Sequence, residues 1–234
     1  MRSWIPNSIT MGNLLMGCLG IVYSLSPDPQ HFYWGMSCVI MAAILDFFDG
    51  LVARALGVSS ALGAQLDSLA DVVSFGVVPA IWAYQLLPSD CGCRFIPFII
   101  AIGAAYRLAR FNLDTQAMEH FKGLPVPASA MIWVALLGLH QHQVNVAGAG
   151  LSDIAIISMS IFTTFLMVST TPLLNLKFKG MKWQGQEIKW ILLIACITSF
   201  ALIGLLRQSL YLAILIAILI YITISLIHYK KLSS

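Results

Sequence analysis

Between Asp46 and Asp71 the chain reads DFFDGLVARALGVSSALGAQLDSLAD. These 26 positions hold four carboxylates, Asp46, Asp49, Asp67 and Asp71, out of 10 acidic residues in the whole chain. Both flanks are apolar. A carboxylate near the centre of a membrane helix costs about 2.5–3.5 kcal/mol on insertion scales, so four isolated ones would cost on the order of 10 kcal/mol. They must therefore face one another, a cation or a water-filled cavity. Spacing groups them: Asp46 and Asp49 (i, i+3) share one helix face with Gly50 beside them, and Gly63, Asp67 and Asp71 (i, i+4, i+8) form a stripe on another helix.

Mutually close carboxylates repel unless a cation lies between them, and an all-oxygen donor set suits hard divalent ions such as Mg²⁺, Mn²⁺ or Ca²⁺. The stretch has no His or Cys, which argues against zinc. Four aspartates suffice for two ions, the arrangement that clamps the attacking and leaving oxygens of a phosphoryl group. Arg54 adds a fixed cationic fork suited to a phosphate oxygen. Spacing alone leaves three readings open: metal-assisted chemistry on a phosphate-bearing substrate, a cation or proton pathway, and a structural ion-pair network. The network has only Arg54, Arg107 and Arg110 to draw on, fewer cations than carboxylates.

The elements that must position these residues are membrane helices. Of 234 residues, 59% are hydrophobic and 10% charged, with mean hydropathy +0.86, whereas a soluble domain carries roughly 25% charged residues. Apolar runs of bilayer-spanning length (about 20 residues) recur throughout. They predict an all-α polytopic membrane protein, a single integral-membrane domain over 1–234. Eight helices are expected, at about 7–26, 32–56, 61–87, 94–113, 125–143, 152–175, 188–206 and 209–228, the first retained rather than cleaved. A reversal at Gly57-Val58-Ser59-Ser60 would make the second and third helices antiparallel neighbours and bring the two aspartate faces together. Small residues at Gly50, Ala53, Gly63 and Ala64 would allow close approach or leave room for a ligand.

With the N-terminus inside, Lys and Arg divide 11 inner to 2 outer among the 13 present, which puts both termini and the aspartates towards the cytoplasm. The net charge of +3 gives no reason to invoke nucleic acid. Cys91 and Cys93 read as loop thiols without a role, His140 and His142 as outer-loop surface, Ser74 as a packing hydroxyl and Asn112 as a helix cap. The last two helices, within 188–228, read as packing and lipid contact.

The pattern Asp46-x2-Asp49-Gly50-x2-Ala53-Arg54-x8-Gly63-x3-Asp67-x3-Asp71 matches without a gap the signature of the CDP-alcohol phosphotransferase family. The resemblance implies a six-helix core over about 5–176 with two added C-terminal helices. It also implies a reaction, transfer of a substituted phosphate from a CDP-linked donor to an alcohol with release of CMP. By resemblance, Asp46, Asp49, Asp67 and Asp71 would ligate two Mg²⁺ or Mn²⁺ ions, and Asp71 would also be the general base. Arg54, Gly50 and Gly63 would lie along the nucleotide and its diphosphate.

The context DSLADVVSFGVVP (67–79), the stretches RLARFN (107–112) and FKGLPVPA (121–128), and Pro6-Asn7-Ser8-Ile9-Thr10 with Asn13 are similar to the phosphatidylserine synthase branch. This similarity covers about residues 5–130. One departure is Ala61, where the branch commonly carries an acidic residue after the loop serine. The branch implies CDP-diacylglycerol and L-serine as substrates, a homodimer in the inner membrane with its site facing the cytoplasm, and Asn7, Thr10 and Ser60 holding the CDP portion. Arg107 and Arg110, one turn apart, would meet the serine carboxylate or a donor phosphate, or else serve only as a topology signal; Lys122 divides the same way. The alternatives are a sibling transferase using glycerol 3-phosphate or inositol and, in another class, a membrane cation transporter.

Overall fold

The computed structural model describes residues 4–26, 28–58, 60–90, 92–113, 120–141, 151–174, 198 and 210–233. Helix α1 spans Trp4–Ser24 and α2 spans Pro29–Ala55. The Asp28 side chain caps α2 by accepting the Gln30 amide (2.9 Å), with Pro29 opening the helix, a position where its missing N–H costs nothing. Helix α3, Ala61–Asp71, begins where Ser60 Oγ accepts the Gly63 amide (3.0 Å). The reversal between α2 and α3 turns on Gly57, at φ +65°.

The third predicted helix is not uniform. After α3 the chain widens into a π-helix, Val72–Val77, and continues as α4, Val78–Leu86. Pro79 supplies the reason, because a proline inside a helix removes one backbone donor and clashes with the preceding turn, and a π turn is one way to absorb that misfit. A 3₁₀ segment, Gly92–Phe98, leads into α5, Ile99–Leu113; α6 covers Val126–Gln141 and α7 Asp153–Val168. The last described helix, α8, is Leu210–Ser233. The expected helix at 188–206 falls outside the described residues except for residue 198, which is helical, and the other seven predicted runs are seen as helix.

Helix α7 stops at Val168, short of the expected 175, because Pro172 disfavours helical backbone at Thr171. Residues Pro172–Leu174 (β2) instead pair antiparallel with His120–Lys122 (β1), His120 opposite Leu174. Among the described residues the fold is therefore helical apart from one short two-stranded ladder.

Among the described residues, five helical runs are long and apolar enough to cross a membrane: Trp4–Ser24, Gln30–Ala55, Ala61–Leu86, Gly92–Leu113 and Leu210–Ile227. The chain is an integral membrane protein. Ala61–Leu86 is the central one, 61% buried over its most apolar window against 17% for Leu210–Ile227. Around it pack α1, α5 and α6, with α2 beside α1, α7 beside α5 and α8 beside α6. Trp82, Phe75, Trp133, Met36 and Ile100 form the interior. At the end remote from the aspartates, Trp82 Nε1 donates to Ser24 Oγ (2.6 Å) and Gln85 Nε2 to the Ser24 carbonyl (2.8 Å). These bonds fix α1 against α4 and so set the height of α1 beside α3.

Candidate active site

The two predicted aspartate faces meet. Carboxylate oxygens of Asp46 and Asp49 from α2 and Asp67 from α3 lie within 4.8 Å of one another. At that distance and an effective dielectric of about 20, each ionised pair repels by about 3.5 kcal/mol. Three such pairs in one place favour a compensating cation or a shared proton. The donor set is carboxylate oxygen throughout, partly buried and close, and it fits a hard divalent ion. Asp71 stands outside this trio, one turn further along α3 and 5% exposed, and its charge interacts with Asp46, Asp67 and Asp49.

Helix α1 supplies the supports. Thr10 Oγ1 donates to Asp49 Oδ2 at 2.5 Å, and Asn13 Nδ2 donates to Asp71 Oδ1 at 3.1 Å. Ser74, in the π segment, returns a bond from its Oγ to the Asn13 carbonyl (3.0 Å). The packing role predicted for Ser74 therefore also serves the site, because it holds α1 in register with the helix that carries Asp71. The resemblance implies a place for Thr10 at the CDP portion and gives Asn13 no role. The local signal was a polar series at three-residue spacing, Asn7, Thr10, Asn13, on an otherwise apolar helix.

A cavity of about 300 Å³ opens beside the trio, lined by Asn7, Thr10, Gly50, Arg54, Ser60 and Gly63 together with Asp49 and Asp67. All six residues expected at the nucleotide and its diphosphate thus line one space, contiguous with two of the clustered aspartates. Arg54 is exposed at its rim, and a Cβ on Gly50 would stand 3.3 Å from Arg54 Nη1. A Cβ on Gly63 would sit 3.1 Å from both Asn7 Oδ1 and Ser60 Oγ, so the absence of a side chain there keeps the cavity open. Ser60 has a structural task besides, as the cap of α3.

The two arginines of α5 separate in role. Arg110 Nη1 donates to the Val168 carbonyl (2.9 Å) and Nη2 to Ser169 (3.3 Å), capping the end of α7. Arg107 is 6% exposed, its guanidinium is attracted by the Asp71 carboxylate, and its Nε has no hydrogen-bond partner among the described residues. A buried donor left this way costs about 1–3 kcal/mol. Asn112 does not cap a helix; its Nδ2 donates to Ser68 Oγ (2.9 Å), tying α5 to α3. The Lys122 side chain and His142 lie outside what the structure describes, while His140 is exposed as expected. Cys93 is disulfide-bonded, which replaces the expected free thiol. Cys91 lies outside the described residues.

Comparisons with known proteins bear on this arrangement. The sequence pattern of CDP-alcohol phosphatidyltransferases matches residues 3–169. A CDP-diacylglycerol–serine O-phosphatidyltransferase of Helicobacter pylori is 34% identical over 186 residues, which is 76% of this chain and 74% of that protein. Proteins of the same name from Mycobacterium bovis and Bacillus subtilis are 37% and 36% identical, over 58% and 57% of this chain. The chain spans 49% of the Mycobacterium protein and 75% of the Bacillus one. The matched region contains every aspartate of the cluster, every lining residue of the cavity and both arginines of α5, and the chain belongs to the CDP-alcohol phosphatidyltransferase family.

Proposed function

We propose that the protein transfers the phosphatidyl group of CDP-diacylglycerol to the hydroxyl of L-serine, giving phosphatidylserine and CMP. One observation carries this reading: a single cavity joins a cationic fork, Arg54, to a carboxylate cluster, in a family whose matched relatives bear that activity in their names. Asp46, Asp49 and Asp67, with Asp71 beside them, would hold two divalent cations, Mg²⁺ or Mn²⁺. When bound, these neutralise the charge of the diphosphate and of the departing CMP.

The chain's own residues do the rest. Asn7, Ser60 and the glycine walls Gly50 and Gly63 seat the CDP portion, Thr10, expected there by resemblance, lines the same space but spends its hydroxyl on Asp49, and Arg54 takes a diphosphate oxygen. Asp71 accepts the serine hydroxyl proton as the serine oxygen bonds to the lipid-side phosphorus and the bond from that phosphorus to the CMP oxygen breaks. Asn13 orients the Asp71 carboxylate for that transfer. Of the basic residues first considered for the acceptor or a phosphate, Arg110 is occupied at the end of α7, which leaves Arg107 as the better placed. Lys122 keeps its proposed phosphate role on family resemblance.

An orientation with the site at the cytoplasmic face of the inner membrane is supported by the Lys and Arg distribution and by Cys93. That residue lies beyond the end of the 61–86 helix opposite to Asp67, and disulfides persist in oxidising compartments. The homodimer rests on family membership; light scattering that reads one chain per nanodisc would remove it.

The deciding experiment gives purified protein CDP-diacylglycerol, Mn²⁺ or Mg²⁺ and a panel of labelled serine, glycerol 3-phosphate and inositol, with CMP release as readout. Release with serine and a serine-containing lipid product is expected. Release only with another alcohol would move the protein to a sibling activity, and ion uptake into liposomes without CMP release would make it a transporter.

A further inference from the structure

At the end of the bundle remote from the aspartates one arginine is held in an unusual way. Arg94 lies two residues into the run Gly92–Leu113, and Tyr84 two residues before the end of Ala61–Leu86, so both stand where the membrane-spanning runs end. Arg94 Nε donates to the Tyr84 carbonyl at 3.2 Å, one of the carbonyls that the last turn of α4 leaves without an intrahelical donor. The guanidinium also lies over the Tyr84 ring, with Cζ 4.0 Å from the centroid. Phe95 and Phe98 stand against the same ring, centroids 5.6 and 5.5 Å away, and Phe95 is 67% exposed. The side chain is thus pinned along one edge and one face.

A guanidinium carries donors on Nε and on both Nη atoms. Arg110, which caps α7 at the opposite end, spends both Nη atoms on the Val168 and Ser169 carbonyls. Arg94 caps α4 through Nε, and among the described residues neither Nη has a hydrogen-bond partner and no acidic side chain pairs with the charge. What remains is the terminal Nη1–Nη2 edge, a planar fork that matches two oxygens of a phosphate. Part of the ordering that binding would require is already imposed by Tyr84. Aromatic rings collect at the membrane–water interface, the depth at which the phosphates of phospholipids lie. Exposed Phe95 gives the glycerol and upper chain of such a lipid an apolar wall beside the fork, which a free phosphate ion would not use.

We propose that Arg94, oriented by Tyr84, binds the phosphodiester of a membrane phospholipid at the face opposite the aspartates. This lipid is a structural partner and not a substrate, because the length of the Ala61–Leu86 run separates Arg94 from the cavity that holds Asp67.

The test titrates purified protein in an uncharged detergent with dioleoylphosphatidylglycerol, with dioleoylglycerol (no phosphate) and with inorganic phosphate. Lipid retention is read by native mass spectrometry, and all three additions by melting temperature. Dioleoylphosphatidylglycerol should be retained and raise the melting temperature, and the other two should not. Arg94→Gln should weaken that retention by about 10- to 100-fold, the scale of one hydrogen bond to a charged group. Arg94→Lys, which keeps the charge without the fork, should recover only part of it and serves as the second variant should the first not fold. The difference between unaltered and variant protein isolates this site from lipid bound elsewhere, and CMP release should be unchanged in both variants. Equal retention by the unaltered protein and either variant, or retention of dioleoylglycerol as strong as that of the phospholipid, overturns the proposal. A melting rise with inorganic phosphate as large as with the lipid overturns the lipid assignment.

Discussion

Thr10→Val is the substitution that most directly weighs the support of the aspartate cluster. Thr10 is 4% exposed, and its one hydroxyl proton has two acceptors within reach, the Pro6 carbonyl at 3.1 Å and Asp49 Oδ2 at 2.5 Å. The shorter approach, to a carboxylate, takes the proton. Valine keeps the shape and removes only the hydroxyl, so neither a cavity nor a new buried polar group is introduced. The loss is one hydrogen bond to a charged group, about 1.5–3 kcal/mol, and with it the fixed orientation of Asp49 relative to Asp46 and Asp67. Supports of this kind are worth about 10- to 100-fold in metal affinity, which agrees with that energy at about 1.4 kcal/mol per tenfold. Mn²⁺ binding followed by isothermal titration calorimetry or by the loss of the free-ion electron paramagnetic resonance signal should weaken by that factor. The Mn²⁺ concentration for half-maximal CMP release should rise in parallel, and CMP affinity measured without metal should be unchanged. An unaltered Mn²⁺ isotherm with weakened CMP binding would refute the reasoning and return Thr10 to direct nucleotide contact.

Other perturbations reach different parts of the molecule. Asp71→Asn keeps size and the Asn13 neighbour but removes the base, so turnover should fall at least ~10²-fold while CDP-diacylglycerol binding persists; retained turnover would remove Asp71 from that role. Gly63→Ala puts a methyl 3.1 Å from Asn7 Oδ1 and Ser60 Oγ inside the cavity, and should raise the KM for the CDP donor by about tenfold with little change in thermal stability, the steric cost being of order 1 kcal/mol. Gly123→Ala meets both a φ of +76° and the Ser169 carbonyl at 2.8 Å from the new Cβ. It should cost about 2 kcal/mol or more, seen as a lower melting temperature in detergent. Cys93 should be labelled by a membrane-impermeant maleimide on intact spheroplasts only after reduction; labelling confined to permeabilised cells would invert the orientation.

The sequence made the cluster legible because helical periodicity is rigid: Asp46 with Asp49, and Gly63 with Asp67, can only share faces, and a short reversal can only bring those faces together. Contacts made across three helices were less open to such reading. That Thr10 serves Asp49 and Asn13 serves Asp71 depends on the height of α1, which Ser24, Trp82 and Gln85 set from the far end. The division of labour between Arg107 and Arg110 was hidden for a similar reason. At i, i+3 the two look equivalent, and only the place where α7 stops, itself decided by Pro172, occupies one and spares the other. The π segment before Pro79 and the β1–β2 ladder depend on local backbone accommodation that hydropathy does not record.

The last helix has a consequence for where this enzyme can be cut. The family pattern ends at residue 169, and every aspartate of the cluster and both arginines lie inside it. Yet α8 packs on α6 and β2 and buries Tyr221 in the common interior. A chain trimmed to the family boundary would keep every lining residue of the cavity and uncover the faces of α6 and β2 on which α8 packs. Such a fragment should still recognise CMP and melt at a lower temperature, so the segment that defines membership of the family is shorter than the one that holds its helices together.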